Sequence, residues 1–253
     1  MTNQELHDLI IEKFCALPEV QQSMDDVIEA KVVHDIMDIE YPDTTKFEGI
    51  PSRAEHKVQA VFRGTKGQAF TETPREFTGT LREIVERPFD GKCIDSVLIA
   101  SINAVMGHFG LCRGLCHCGR DMHEACGIRY KGYVANIHKT VNVVIVGYQA
   151  FLMRSIGSLD GHLWTMDRNY DNITKYRNGS VITNSGRENR DSAKKWADLI
   201  IITGSSLCNG TIVQWLDAGD KLLFYGVTIA GVAKLLDLKR LCFASDKDKQ
   251  IRE

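Results

Sequence analysis

Apolar positions along the chain follow two different patterns. Up to about residue 138 they recur at helical or alternating spacing, whereas from Val141 onward they come in short uninterrupted runs separated by turn and helix signals. Thr2 and Glu5 have the spacing of a capping box, and Leu6, Leu9, Ile10 and Phe14 continue it as an amphipathic helix ending near Pro18. The β-branched stretch Val27–Ile39 predicts extended structure, and Val58–Phe62 with Gln68–Phe70 reads as a strand pair around Gly64-Thr65-Lys66-Gly67. Helical signals return at Thr80–Glu86, and the run Ile94–Phe109 is apolar at both three- and four-residue spacing, which predicts a buried helix. Gly110–Gly127 is too rich in Gly and Cys to predict regular structure, and Ile128–His138 leads to a boundary near Lys139.

Beyond that boundary the order is strand, turn, helix, repeated. Asn142–Gly147, His162–Met166, Val181–Thr183, Asp198–Gly204 and Lys221–Gly226 are the strands, followed by a last short one over Leu241–Phe243 that contains Cys242. Uniformly apolar strands alternating with helical segments indicate a parallel sheet covered on both faces. The predicted fold class is therefore α/β. A small antiparallel α+β domain over residues 1–138 precedes a doubly wound, mainly parallel Rossmann-like domain over residues 139–253.

Composition narrows the function classes. The chain has 253 residues, 43% hydrophobic and 25% charged, with a formal charge of -2, so nothing electrostatic points to nucleic acid or anionic lipid. No apolar stretch approaches the roughly 18 to 20 residues needed to span a bilayer, and the acidic N-terminal segment is unlike a signal peptide. A cytoplasmic protein with no membrane partner is expected, and homo-oligomerisation is left open. In a reducing compartment eight cysteines call for burial, metal binding or catalysis rather than disulfides.

In a parallel sheet the ligand crevice lies beyond the carboxyl ends of the strands. The residues there are Gly147 and Tyr148, Asp167, then Thr203, Gly204, Ser205, Asn209 and Thr211, and finally Gly226 and Thr228. Each group is expected to precede a helix whose free N–H groups can receive a polar ligand. A plainer reading makes the Ser, Thr and Asn residues helix caps and the glycines turns. Asp167 occupies the place where dinucleotide-binding domains carry a ribose-binding acid, but the first turn, Gly147-Tyr148-Gln149-Ala150-Phe151, lacks the G-x-G-x-x-G loop. Conventional NAD binding is not expected.

The Gly/Cys segment is the other candidate. Cys112, Cys116, His117, Cys118, His123 and Cys126 place four thiols and two imidazoles within fifteen positions, with Asp121 and Glu124 between them. These are donors preferred by zinc, iron and iron–sulfur centres, although the spacing C-x3-C-x-C-x7-C matches no common zinc ribbon or ferredoxin run. Burial of small side chains is the competing account, strongest for Cys112 and Cys116. Cys15 and Cys93 read as core, and Cys242 as either a strand residue or a ligand reaching in from the second domain.

With these residues in view, the chain resembles the heavy-metal chelation family, whose members join an enolase-N-terminal-like domain to a Rossmann-like domain. The resemblance is carried by GQAFTETP (Gly67–Pro74), SINAV around Asn103, the HC-x7-C of His117, Cys118 and Cys126, VGYQAF (Val146–Phe151), YDNI (Tyr170–Ile173), TGSSLCNGT (Thr203–Thr211) and FYGVTIAG (Phe224–Gly231), with Cys242 following. It implies a functional cleft between the domains and the handling of a metal; Cys112 and Cys116 fall outside its pattern. Two functions are therefore expected as alternatives. One is binding of a transition-metal ion such as iron or zinc, or of an iron–sulfur centre, through His117, Cys118 and Cys126 with Cys242 or Cys116. The other is an enzyme, methyltransferase-like or acting on a pterin- or flavin-type heterocycle, whose small organic ligand sits at the strand ends.

Overall fold

The computed structural model describes residues 1–33, 56–118, 122–137, 141–159, 161–168, 172–173, 176–177 and 180–243. The later part of the extended stretch expected over Val27–Ile39, the boundary near Lys139, Asp121 and Tyr170-Asp171 lie outside these residues.

The chain opens with α1 (Asn3–Cys15), started by the capping box: Glu5 N–H donates to Thr2 Oγ1, and Thr2 N–H donates to Glu5 Oε2 at 2.7 Å. Leu6, Ile10 and Phe14 bury its apolar stripe, and α2 (Pro18–Gln21) follows. Four strands then form an antiparallel sheet: β1 (Val27–Val33), β2 (His56–Phe62), β3 (Thr65–Thr71) and β4 (Phe77–Thr80), in the order β3-β2-β1-β4. The β2–β3 turn is tighter than the expected GTKG. Arg63 and Gly64, at φ 46° and 82°, make a two-residue turn with both residues left-handed, and Thr65 already pairs with Phe62. Short α3 (Leu81–Val85) carries a second capping box, Thr80 with Glu83.

Helix α4 (Ser96–His108) is buried from Ser96 through Met106. A helix apolar all round must be covered all round. Here β2 and β3 cover one side and α8 (Ala230–Leu235) another. Glycine permits both close approaches. A Cβ on Gly67 of β3 would collide with the α4 backbone at Ala100 and Ala104, and one on Gly231 of α8 would lie 2.7 Å from Ile102 Cγ2.

The second sheet contains β5 (Asn142–Val146), β6 (His162–Asp167), β7 (Tyr176–Arg177), β8 (Ser180–Asn184), β9 (Leu199–Thr203), β10 (Leu222–Tyr225) and β11 (Arg240–Leu241), in the order β11-β10-β9-β5-β6-β8-β7. All neighbours are parallel except the β7–β8 edge hairpin. Without that hairpin strand the order is 3-2-1-4-5-6, the doubly wound arrangement, with its switch point between β5 and β9. Alternate residues serve opposite faces. Val144, Val146, Ile200, Ile202 and Phe224 join one core with α4, α8, Ala193 of α7 (Arg187–Trp196) and the N-terminal helix. Val143, Ile145, Ile201, Leu223 and Tyr225 join a second core with α5 (His123–Ile137) and α6 (Ala150–Ile156). No helix among the described residues is long and apolar enough to cross a membrane.

Two expectations need correction. The segment Gly110–Gly127 is not irregular throughout, because α5 begins at His123 and carries Cys126 within its first turns. Its tertiary partners supply what local propensity lacks: Tyr130 donates to Leu241 O at 2.5 Å, and Arg129 Nη1 to Phe243 O at 3.2 Å. The last strand stops at Leu241, so Cys242 lies just beyond it rather than inside.

Candidate metal centre

Strand β3 is an edge strand, and an uncovered edge presents unpaired backbone donors and acceptors. The Cys/His loop is part of its cover. Gln68 N–H donates to Leu115 O at 3.0 Å, Phe70 N–H to Thr228 Oγ1 at 3.0 Å, and Gln68 O accepts from Asn103 Nδ2 at 2.9 Å. On the other side of the loop, Arg240 of β11 donates through Nη1 and Nη2 to the carbonyls of Arg113 and Gly114, and through Nε to Gly226 O. The guanidinium thus ties the loop to the turn after β10, which folds it over the carboxyl edge of the second sheet.

So placed, the loop brings His117 and Cys118 to His123 at the start of α5. One ligand atom from each of the three lies within 4.8 Å of the others; His117 is exposed, while Cys118 and His123 are half-buried. The imidazoles are held by aromatic neighbours. His117 meets Phe70 edge-on at 5.2 Å, and His123 stacks on Phe151 at 5.0 Å with 22° between planes. A tetrahedral ion with bonds of roughly 2.0 to 2.3 Å needs donors roughly 3.3 to 3.8 Å apart, so small movements of three side chains would close the set. Two imidazoles and a thiolate suit zinc, iron or a similar borderline ion, and three protein donors leave a coordination position open.

The remaining thiols divide. Cys126 is buried in the core that α5 and α6 share with the second sheet, where burial pushes its thiol up to about 12 with help from the neighbouring Cys242 and Cys118; an amide hydrogen bond from Phe243 and the charge of Arg129 oppose the shift. Cys126 of α5 therefore lies within electrostatic reach of both Cys118 in the loop and Cys242 just beyond β11. Cys116 donates to Lys66 O at 3.7 Å. Cys112 packs against the core built around α4 and α8, its thiol raised to about 11 by burial against the pull of Arg240. Burial also raises Cys15 and Cys93, Cys208 is buried, and all eight cysteines are free of disulfides.

The strand-end residues also divide. At the switch point Gly147, with φ 93°, packs so closely that a Cβ there would lie 2.9 Å from Thr203 Cγ2 and 3.5 Å from Tyr225 Oη. Asp167 Oδ2 accepts from Tyr148 N–H at 2.6 Å and so shapes the β5–α6 turn. Thr203 Oγ1 lies 3.1 Å from Ser205 Oγ, Gly204 packs against Ile229, and Gly226, at φ 89°, offers its carbonyl to Arg240. Asn209 and Thr211 bond to each other in a turn whose Gly210 carbonyl accepts from Asn3 on α1, and Thr228 accepts from Phe70. These three belong to the junction with the N-terminal half. Two of the strand-end groups precede short helices as expected, Gly147 and Tyr148 before the seven residues of α6 and Gly226 before the six of α8, whereas Thr203 leads only into a 3-10 turn, Gly204–Ser206.

Three residues outside the expected site set matter here. His123 stands among the clustered donors of the sequence but outside the expected ligand set, and its signal is its place three residues before Cys126. Asn103, fully buried, donates through Nδ2 to Gln68 O, Val227 O and Thr228 O and accepts from Gly231 N–H at 2.7 Å. Gln68 accepts from His117 N–H at 2.7 Å.

These features sit beside a match of part of the chain to a known family. Residues 133–234 match DUF364, described as "Putative heavy-metal chelation". The chain is also similar to a DUF364 protein of unknown function from Desulfitobacterium hafniense DCB-2, at 14% identity over 93% of this chain and 83% of that one, with a TM-score of 0.52. A DUF364 protein of unknown function from Pyrococcus horikoshii aligns at 15% identity over 88% of this chain and 79% of that one, with a TM-score of 0.46. No curated protein matches. At such identity the Desulfitobacterium structure speaks for the fold alone. The DUF364 segment runs from the end of α5 into α8, so His117, Cys118 and His123 lie ahead of it.

Proposed function

We propose that this protein binds a borderline or soft transition-metal ion at the carboxyl edge of the second sheet, through His117, Cys118 and His123. Cys126, which feels the charges of both Cys118 and Cys242, and Cys242 itself are the candidates for a further thiolate. The observation that carries the reading is the meeting of three donor atoms within 4.8 Å, drawn from a pinned loop and a helix start. The description of DUF364 points the same way. Binding requires thiolate and neutral imidazole, so it releases protons and weakens as pH falls. The test is metal analysis of untagged protein prepared without oxygen. Wild type should carry about one equivalent of zinc or iron, or the iron of a cluster, and Cys118→Ser and His123→Ala should lose most of it; equal trace metal in all three would reject the site.

We retain the division into residues 1–138 and 139–253, with α5 crossing over to pack on the second sheet. The switch point between β5 and β9 supports a second reading, an organic ligand such as a pterin or S-adenosylmethionine held beside Gly147 and Thr203. Thermal stabilisation by such a compound in metal-free protein, absent in Gly147→Ala, would favour it.

A further inference from the structure

We propose that Gln68 is the positioning residue of this metal site, holding the His117–Cys118 backbone in its ligating place through a side-chain relay that begins at Gln59. The inference rests on the metal reading above and deepens it.

Gln68 is 6% exposed, a buried amide on an edge strand, and a buried amide has to satisfy both its ends. It faces Gln59 directly across the β2–β3 pair, and its Nε2 donates to Gln59 Oε1 at 2.8 Å. Because its own N–H and C=O point outward to Leu115 and Asn103, this is a non-hydrogen-bonded pair, where cross-strand side chains come closest. With Nε2 committed to Gln59, Oε1 is the end left to face the loop, and it accepts from His117 N–H at 2.7 Å. Two residues further along β3, Phe70 sets its ring edge-on to the His117 imidazole. One strand thus fixes both the main chain and the ring of a ligand.

Gln68 is also joined to the opposite side of the site. Its carbonyl shares the Asn103 amide with the carbonyls of Val227 and Thr228, in the turn after β10. Arg240 ties the start of the loop to Gly226 in that same turn. Loop, β3 and turn therefore form a closed ring of hydrogen bonds, and the ligand backbone is set before a metal arrives. Such preorganisation governs affinity and geometry together, and loss of an outer-shell partner costs a metal site about 10- to 100-fold in affinity.

The experiment titrates cobalt(II) into untagged, reduced wild type, Gln68→Met, Gln68→Glu and Gln59→Leu, reading the thiolate-to-cobalt charge-transfer band, the ligand-field bands and the thermal midpoint. Gln68→Met removes the acceptor and should weaken cobalt binding about tenfold or more, with a shifted ligand-field spectrum. Gln68→Glu keeps an acceptor for His117 N–H, and the Gln59 amide can turn to donate to the new carboxylate, so binding should return to within about threefold of wild type. Gln59→Leu leaves Gln68 and the loop in place and should fall between them, deciding the matter if Gln68→Met fails to fold. Equal cobalt affinity and equal spectra in wild type and both Gln68→Met and Gln59→Leu would overturn the proposal. So would loss of affinity in Gln68→Glu as large as in Gln68→Met, which would mark a structural residue only. Absence of the charge-transfer band in wild type would instead sink the metal reading, and this inference with it, before any variant is compared.

Discussion

Replacing Asn103 by Ala removes one side chain and disturbs four backbone groups. Asn103 is fully buried on α4, and its amide donates to Gln68 O at 2.9 Å, Thr228 O at 3.0 Å and Val227 O at 3.2 Å, while Oδ1 accepts from Gly231 N–H at 2.7 Å. Two hydrogens serve three carbonyls, so the cost is less than three full bonds; the stranded Gly231 N–H is the larger loss. A buried donor without a partner costs about 1 to 3 kcal/mol and each surrendered bond about 1 kcal/mol, giving about 3 to 5 kcal/mol in all. That is a large share of the roughly 5 to 15 kcal/mol by which domains are stable. Urea unfolding followed by circular dichroism and Trp fluorescence gives the number directly, Trp215 being buried beside the same core. Asn103→Asp adds a pH signature. Burial and three facing carbonyls disfavour the carboxylate, so its folded pKa lies above the unfolded one. The variant should then be most stable below the ordinary carboxylate range and lose stability as pH rises through the raised pKa. A loss under about 1 kcal/mol for Asn103→Ala, with a flat pH response for Asn103→Asp, would refute the assignment of Asn103 as the joint between the two sheets.

Burial pushes the Cys126 thiol from 9.0 up to about 12, so the folded state gains stability from its neutral form that is complete below 9.0 and is lost as pH rises through about 12. Metal-free Cys126→Ala should therefore show a shallower alkaline decline of its thermal midpoint than wild type; parallel curves would contradict this. Gly67→Ala forces a Cβ into the α4 backbone at Ala100 and Ala104 and should cost about 1 to 3 kcal/mol or more in urea unfolding. A neutral substitution would mean that β3 and α4 can separate freely.

What could be read from the sequence was what local chemistry determines. The Thr2–Glu5 box sets its helix with partners three residues apart, and the apolar runs of β5, β9 and β10 announce strands buried on both faces. The start of α5 could not be read. Gly and Cys mask it, and the bonds that hold it reach across 111 and 114 residues to Leu241 and Phe243. The candidate site shows the same division. Clustered donor types identified the loop, but which donors meet depends on where Arg240 and β3 hold it, and neither influence leaves a local mark. Gln68 looks like any polar strand residue. Asn103 left more of a trace, being the one amide in a helix that is otherwise apolar or small-residue up to its last position, His108, and burial there demands several partners at once.

The way the loop is held also bears on where metal chemistry in this chain should be sought. The DUF364 match covers residues 133–234, the sheet with its strand ends, whereas the three grouped donors fall at His117, Cys118 and His123. The matched segment therefore cannot bring these ligands with it. Two of them, His117 and Cys118, come from a stretch that a second requirement already keeps in place: the outer edge of β3 needs covering, and Leu115 O accepts its Gln68 N–H while the side chain of the same Gln68 accepts His117 N–H. Covering the edge and presenting His117 and Cys118 are thus functions of the same short stretch, Leu115–Cys118. A change that loosens the loop should uncover the β3 edge and slacken the donor set together. A change confined to an imidazole or thiol should empty the metal site and leave the edge covered.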